Sequence, residues 1–154
     1  MVGKKKVLFV CVHNTARSQM AQAWMNDLCS GMFEARSAGI TPAESVNPLA
    51  VKAMQEVGID ISGQKPRSVF DVYKAGEAFS YIITVCDQAS AEQCPVFLGL
   101  VRQLHWSFPD PGALPGTEED KMAGVRSIRD SIRERVLSWC LEVSGAEESP
   151  DTQP

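Results

Sequence analysis

The sequence predicts an α/β fold built on an open, mainly parallel sheet that is flanked by helices. Short apolar runs rich in β-branched residues, typical of strands buried on both faces, alternate along the chain with amphipathic segments of helical period. The first of these runs passes through a short polar loop directly into a helical segment, which begins a strand–helix–strand unit. Sheets of this class bind ligands at the carboxyl ends of their strands, so the sequence directs attention to that loop.

The individual elements are predicted from their apolar patterns and their end signals. The predicted strands are Lys6–Val12, Phe33–Ala38 and Ser80–Cys86. The predicted helices are Ser18–Ser30, with Met20, Trp24 and Leu28 at four-residue spacing, Pro48–Val57, which ends before Gly58, and Thr117–Val143. Thr117 and Asp120 stand where an N-terminal capping pair would stand in the last helix.

Length and composition favour a single domain. The chain has 154 residues, of which 44% are hydrophobic, and this is enough to bury a core without covalent staples. The segment from Ser144 onward lacks the apolar content to pack. We therefore expect one domain over residues 1–144 and a disordered tail over residues 145–154.

Charge and hydropathy exclude several classes of function. No apolar run approaches the roughly twenty residues that span a bilayer, and Val7–Val12 is too short for the core of a signal peptide, so we expect a cytoplasmic protein without a membrane partner. The net charge of −4 and the lack of a basic stripe argue against nucleic acid as a partner. The five cysteines, an odd number, are expected to be free thiols in a reducing compartment.

The polar loop after the first strand carries the strongest functional signal. Cys11 and Arg17 have the spacing Cys-x5-Arg, and Ser18 follows directly. A loop between a buried strand and a helix start can wrap an anion with its backbone N–H groups, here those of Val12, His13, Asn14, Thr15, Ala16 and Arg17. The same donors stabilise the thiolate of Cys11, which is the nucleophilic form, while the planar guanidinium of Arg17 matches two oxyanion oxygens. The alternative is a buried structural Cys11 beside a surface arginine.

Three further residues of the loop have specific expectations. Ser18 either donates a hydrogen bond to the Cys11 thiolate or only caps the helix. Asn14 tolerates a left-handed backbone and is expected to shape the loop. His13 is expected to be exposed, because side chains of a phosphate-binding loop point outward while their amides point inward.

The motifs resemble those of a known family. Val10–Met20 (VCVHNTARSQM), Ser37-Ala38-Gly39-Ile40 and the Asp110-Pro111 pair are similar to the low-molecular-weight tyrosine phosphatases, and more narrowly to their arsenate reductase branch. The resemblance extends from about Lys6 to the end of the last helix and implies a four-stranded sheet. It also implies that Cys11 is the nucleophile, Arg17 the oxyanion clamp, Ser18 the thiolate donor and Asp110 the general acid.

Two additional cysteines favour the reductase branch. Cys86 ends a predicted strand at the same sheet edge as Cys11, and Cys94 follows after the polar segment Asp87–Gln93. We expect Cys11 to attack arsenate, Cys86 to attack the Cys11 adduct and release arsenite, and Cys94 to attack Cys86 and regenerate Cys11. The oxidised Cys86–Cys94 pair would then be reduced by thioredoxin or a similar dithiol reductant. Along a helix the two cysteines would lie about 12 Å apart, so the segment between them must rearrange during turnover.

Other functions stay open at this stage. A low-molecular-weight tyrosine phosphatase would need only the Cys11 loop and Asp110, although phosphatases of this fold usually have an aromatic residue where Gly112 follows Asp-Pro here. A noncatalytic anion-binding or redox-sensing module would use Cys86 and Cys94 without turnover.

No cofactor is expected, and no metal site, since Gln22 stands where related potassium-binding reductases have a carboxylate. His105 and Trp106 are expected to pack in the core or a loop, and Cys29 and Cys140 to be inert core thiols on helix faces.

Overall fold

A four-stranded, entirely parallel sheet forms the centre of the molecule. The computed structural model describes residues 4–86 and 101–148, with side chains to residue 145. The strands are β1 (Lys5–Cys11), β2 (Phe33–Gly39), β3 (Tyr81–Thr84) and β4 (Arg102–His105), in the order β2-β1-β3-β4. Central β1 is completely buried from Val7 to Val10, as expected for a strand covered on both faces.

Helices cover the two faces of the sheet unequally. The helices are α1 (Arg17–Leu28), α2 (Pro48–Glu56), α3 (Val69–Lys74) and α4 (Glu118–Glu148), with a short 3-10 turn at Pro111–Ala113. α1 and α4 pack on one face together with Val7 and Phe9, while α3 packs on the other face with Leu8 and Val10. This alternation along β1 follows from the two-residue side-chain period of a strand.

The start of α4 is fixed as its sequence predicts. Thr117 Oγ1 accepts a hydrogen bond from the Asp120 N–H (3.1 Å), and an Asp120 carboxylate oxygen accepts one from the Thr117 N–H (3.0 Å). This is the reciprocal capping pair, with the hydroxyl and the carboxylate satisfying two N–H groups at the helix end. The backbone hydrogen bond from Thr117 lowers the pKa of Asp120.

The structure corrects three expectations. β4 and α3 were not predicted, and α4 continues through Glu148, so residues 145–148 of the expected tail are helical. Cys29 and Cys140 are not free thiols but are joined in a disulfide, with their Cα atoms 6.7 Å apart. The two residues are 111 positions apart in the sequence, and only the packing of α1 against α4 brings them together.

Candidate active site

The Cys-x5-Arg loop lies where the topology of the sheet leaves an open crevice. The chain leaves β1 for β2 on one side and later returns to β3 on the other, so the carboxyl end of β1 is the topological switch point. Cys11 is the last residue of β1 and Arg17 the first residue of α1. The loop therefore combines a strand end with a helix N-terminus, as the sequence predicts.

The backbone of the loop is turned with its carbonyl groups outward. Each carbonyl from Cys11 to Ala16 accepts a hydrogen bond from outside the loop; the donors are the N–H groups of Ile40, Thr41, Ala43, Asn47 and Met20 and the side-chain amide of Gln19. Because carbonyl and N–H groups point in opposite directions in such a turn, the amide side of the loop is turned toward its interior. Consistent with this, the Asn14 N–H donates to the Cys11 sulfur at 3.1 Å.

Asn14 holds the loop in its special conformation. Its φ of 56° is the only left-handed value of a non-glycine residue among the described residues, and its side chain is completely buried. The Arg67 N–H donates to Asn14 Oδ1 (2.9 Å), which identifies the other terminal atom as the amide nitrogen, and this nitrogen donates to Ser18 Oγ (2.7 Å). Left-handed backbone is tolerated by asparagine at lower cost than by most residues, so the predicted shaping role of Asn14 is confirmed.

Gly39 allows the loop to approach β2. It pairs with Cys11 in the sheet register, and a Cβ atom at Gly39 would lie 2.8 Å from the Val12 carbonyl oxygen and 3.0 Å from the Asn14 backbone nitrogen. Any side chain here would push the loop away from the sheet. This close approach gives a physical reason for glycine in the Ser37-Ala38-Gly39-Ile40 motif.

Cys11 and Ser18 form a buried pair. Ser18 Oγ lies 2.8 Å from Cys11 Sγ, and the two residues are 0% and 3% exposed, respectively. Asn14 Nδ2 donates to the same Ser18 Oγ, so the Ser18 hydroxyl connects the Asn14 side chain to the Cys11 sulfur. α1 has no side-chain cap at its N-terminus, so of the two expectations for Ser18 the geometry supports the contact with Cys11.

Arg17 connects the loop to the segment that contains Asp110. It is only 8% exposed, its Nη1 donates to the Phe108 carbonyl (3.2 Å), and its Nη2 lies 3.9 Å from Asp110 Oδ1. The Asp110 side chain is about half exposed, and Oδ1 also accepts the Gly112 N–H (2.9 Å) in a tight turn. Asp110 thus both fixes its own turn and lies beside the Cys11–Arg17 loop.

The sequence of the whole domain matches a family model. Residues 6–148 match the family described as low molecular weight phosphotyrosine protein phosphatase. The chain belongs to this family. The matched residues include both the Cys11–Arg17 loop and Asp110.

Within the family, the arsenate reductases are similar over nearly the whole chain. An arsenate reductase of Bacillus licheniformis is 42% identical over 135 residues, which cover 88% of this chain and 94% of the relative. The crystal structure of an arsenate reductase from Archaeoglobus fulgidus has a TM-score of 0.70 and 33% identity, covering 87% of this chain and 98% of that one. A thioredoxin-dependent arsenate reductase of Corynebacterium glutamicum has a TM-score of 0.71 and 28% identity, covering 93% of this chain and 63% of that one. The chain belongs to the arsenate reductase branch of the phosphatase family.

Cys86 lies beside this family's loop, at the same edge of the sheet. Val10 is paired with Thr84 in the register, and the Val85 N–H donates to the Val10 carbonyl (2.8 Å), so Cys86 follows β3 just as Cys11 ends β1. Cys11 and Cys86 are both buried. Cys94 and the segment Asp87–Gln93 lie outside the described residues.

A second group of residues behind the loop was not predicted from the sequence. Gln19, 1% exposed, donates from Nε2 to the carbonyls of Asn14 (3.0 Å) and Lys65 (3.3 Å), and its Oε1 accepts from Gln64 Nε2 (2.5 Å). These contacts tie the loop to the segment that precedes α3. The available signal was a polar residue next to Met20 on the buried side of an amphipathic helix, since buried polar side chains need partners.

The remaining residues singled out in the sequence have structural roles. His13 is exposed as expected, and its Nδ1 donates to the Thr41 carbonyl (3.0 Å). His105 ends β4 with Nδ1 2.7 Å from Thr84 Oγ1, and Trp106 is buried against Phe9 and Trp139. Gln22 accepts a hydrogen bond from Ser37 Oγ (2.5 Å).

Across residues 4–86 and 101–148, none of the helices is long and apolar enough to cross a membrane.

Proposed function

We propose that this protein reduces arsenate to arsenite with the thiolate of Cys11 and recovers by a disulfide relay through Cys86 and Cys94. The proposal rests on one observation: the Cys11 loop and Cys86 lie next to each other at the same edge of the sheet. The Cys11 loop, whose carbonyls point outward and whose Asn14 N–H donates to Cys11 Sγ, lies beside a second buried cysteine, Cys86, that a phosphatase would not need. The relatives named arsenate reductases support the same chemistry.

The first step is attack on arsenic. The Cys11 thiolate attacks arsenate held by the loop N–H groups and Arg17, forming a sulfur–arsenic bond and expelling one oxygen as water. Asp110 beside Arg17 supplies a proton to the leaving oxygen. Arg17 and the loop amides stabilise the negative charge that develops on the remaining oxygens, the interaction that usually contributes most to such reactions.

The second step transfers electrons. Cys86 attacks the Cys11 sulfur, so a sulfur–sulfur bond forms, the sulfur–arsenic bond breaks, and its electron pair leaves with arsenic as arsenite. Cys94 then attacks the Cys86 sulfur, which frees Cys11 and leaves a Cys86–Cys94 disulfide. Two electrons therefore pass from two thiols to one arsenate. A dithiol reductant of the thioredoxin type restores the pair, in line with the thioredoxin-dependent relative.

Hydrolysis of aryl phosphates is a second candidate activity, because it needs only Cys11, Arg17 and Asp110, and the family model carries the phosphatase description. A direct comparison tests the proposal: arsenate reduction with thioredoxin and thioredoxin reductase, against hydrolysis of phosphotyrosine and p-nitrophenyl phosphate. We expect repeated arsenate turnover and slow hydrolysis. Brisk phosphotyrosine hydrolysis without arsenate reduction would replace the proposal with a phosphatase, and anion binding with neither reaction would replace it with a sensing module.

The remaining expectations stay predictions. These are a cytoplasmic location, the lack of nucleic-acid and membrane partners, and the lack of a cofactor or metal. That thioredoxin is the reductant is also part of the proposal. The rate of arsenate reduction with thioredoxin, compared with the rate with glutaredoxin and glutathione, tests it.

A further inference from the structure

The Cys29–Cys140 disulfide lies at the edge of the sheet opposite to the oxyanion loop. Cys29 directly follows α1, and its carbonyl accepts the N–H of Phe33, the first residue of β2. Beside Cys140, the Trp139 ring packs on Phe33 and on Tyr81, the first residue of β3, with ring centroids 5.0 and 4.8 Å apart. The disulfide therefore belongs to the amino ends of the strands, whereas Cys11 ends β1 at the carboxyl edge.

This position separates the disulfide from the relay. α1 spans 12 residues between Arg17 and Leu28, a length of about 18 Å at 1.5 Å per residue. A disulfide exchange requires sulfur atoms in contact, with Cα atoms about 5.5 Å apart. While α1 is folded, neither Cys29 nor Cys140 can reach the sulfur of Cys11 or Cys86.

The disulfide is also shielded from external thiols. Cys29 is 6% exposed and Cys140 is 4% exposed, and both belong to the main hydrophobic core. Reduction requires a thiolate to approach a sulfur atom in line with the sulfur–sulfur bond, so access controls the rate. The end of α4 must separate from α1 before a protein dithiol can attack.

We propose that Cys29 and Cys140 form a second dithiol–disulfide couple, distinct from the arsenate-reducing couple, that stays oxidised during turnover and is reduced by dithiols only when α4 separates from α1. The bond forms by exchange with a low-molecular-weight disulfide: the two thiols lose two electrons and two protons, and the small disulfide becomes two thiols. In the reverse reaction a dithiol becomes a disulfide and Cys29 and Cys140 become thiols. Neither direction involves arsenate.

The consequence for the molecule follows from the length of chain that the bond encloses. The cysteines are 111 positions apart, so the closed loop contains the greater part of the sheet and the described site residues Cys86 and Asp110. A cross-link over so long a loop removes more conformational freedom from the unfolded chain than one over a short loop. The bond thus keeps α4 on α1 throughout the relay proposed above.

Counting thiols tests the proposal on the wild-type protein. The folded protein is incubated with thioredoxin, thioredoxin reductase and NADPH, separated from them without oxygen, denatured, and titrated with a thiol reagent. We expect three of the five cysteines to react, and all five after reduction in denaturant, with a Cys29–Cys140 linked peptide in the first sample. Five reactive thiols in the first sample would overturn the proposal. The count needs no arsenate, so it fails or succeeds separately from the proposed activity.

A variant tests the link to stability. The double variant Cys29→Ala/Cys140→Ala should unfold at lower urea concentration than oxidised wild type, and its midpoint should not respond to dithiothreitol. Wild type that is reduced in denaturant and refolded in dithiothreitol should have a urea midpoint that is lowered by about as much as that of the double variant. Arsenate turnover of the double variant should persist wherever it is folded. Equal midpoints for oxidised and reduced wild type would contradict the link to stability, and loss of arsenate turnover in the folded variant would contradict a separate couple. If the variant does not fold, the wild-type comparison still decides the point.

Discussion

At the scale of single residues, Asn14 links the conformation of the loop to the state of the nucleophile. Its backbone N–H donates to Cys11 Sγ, and its side-chain amide donates to Ser18 Oγ, which lies 2.8 Å from the same sulfur. One buried residue thus contacts both members of the Cys11–Ser18 pair. The glycine at position 39 makes room for this arrangement.

Arg17→Lys should lose most of the activity although it keeps the positive charge. Lysine cannot reproduce the planar fork that spans the Phe108 carbonyl, Asp110 and the oxyanion. We expect a cost of about 2–4 kcal/mol in transition-state stabilisation, the range found for a lost oxyanion donor. The measurement is kcat/KM for arsenate, with Arg102→Lys on β4 as a matched control. A value near wild type for Arg17→Lys would remove the clamp role.

Ser18→Ala should slow the alkylation of Cys11 at neutral pH. The substitution removes the donor 2.8 Å from sulfur and leaves the Asn14 amide without its acceptor, so the thiolate loses stabilisation. Iodoacetamide labelling followed by peptide mapping measures the rate, and phosphate or arsenate should protect Cys11 in the wild type. Ser62→Ala, an exposed serine, serves as control. Unchanged labelling in Ser18→Ala would assign the serine a purely structural role.

At the scale of elements, an ion-pair cluster joins α2 to α4. Arg126 donates to the Glu56 carboxylate from Nη2 (2.7 Å) and, to both oxygens, from Nε (2.9 and 3.1 Å). Arg129 donates to Glu56 (2.9 Å) and to the Ala53 carbonyl (2.8 Å). The hydrogen bond from Arg126 is the main reason that the pKa of Glu56 is lowered from 4.5 to about 2, with Arg129 contributing. The ionised carboxylate therefore favours the folded state.

The pH dependence of stability should report this cluster. Because the pKa of Glu56 is lower in the folded protein, its contribution is complete above about pH 4.5 and is lost as the pH falls toward 2. Glu56→Gln should flatten this part of the curve of unfolding free energy against pH, measured by urea denaturation. Glu142→Gln, an exposed carboxylate on α4, shows the effect of removing a surface charge in general. An unchanged slope in Glu56→Gln would mean that the cluster does not stabilise the fold.

Elements with long or strongly apolar patterns could be predicted from the sequence, and short ones could not. β1 and α4 carry many buried residues at regular spacing, and their predicted bounds are close to the observed ones at most ends. β4 has no fully buried residue in its four positions, and α3 has only six residues, so neither gives a measurable period. The helical residues 145–148 continue α4 beyond its last predicted apolar position, Val143, because a helix already formed extends at little cost.

The candidate site was predictable where it is local in sequence. The Cys11 loop, Ser18 and Asn14 follow from one contiguous stretch and from its position between a strand and a helix. The Gln19–Gln64 contact and the Cys29–Cys140 disulfide depend on packing between segments 45 and 111 positions apart. The spacing of residues along the chain does not predict contacts between segments that are so far apart in the sequence.

At the scale of the whole molecule, sheet order determines which cysteines can cooperate. The arrangement β2-β1-β3-β4 places Cys11 and Cys86 at the ends of adjacent strands, and it places Cys29 and Cys140 at the opposite edge. Parallel neighbours are about 4.8 Å apart, so two cysteines that end adjacent strands can exchange partners with local movement. The fold thus separates Cys11 and Cys86, to which we assign the proposed relay, from the disulfide that joins α1 to α4.

The most direct test of the account is the yield of arsenite per enzyme in a single turnover. Reduced wild type, Cys86→Ala and Cys94→Ala are mixed with arsenate without any external thiol, quenched rapidly, and assayed for arsenite, with peptide mapping of the disulfides. The relay predicts little or no arsenite from Cys86→Ala. It predicts up to one arsenite per protein from Cys94→Ala, which then stalls as a Cys11–Cys86 disulfide, and one from wild type with a Cys86–Cys94 disulfide. A full arsenite per protein from Cys86→Ala in this assay would contradict the three-cysteine relay, as would repeated arsenate turnover by both variants in a second assay with thioredoxin as sole reductant.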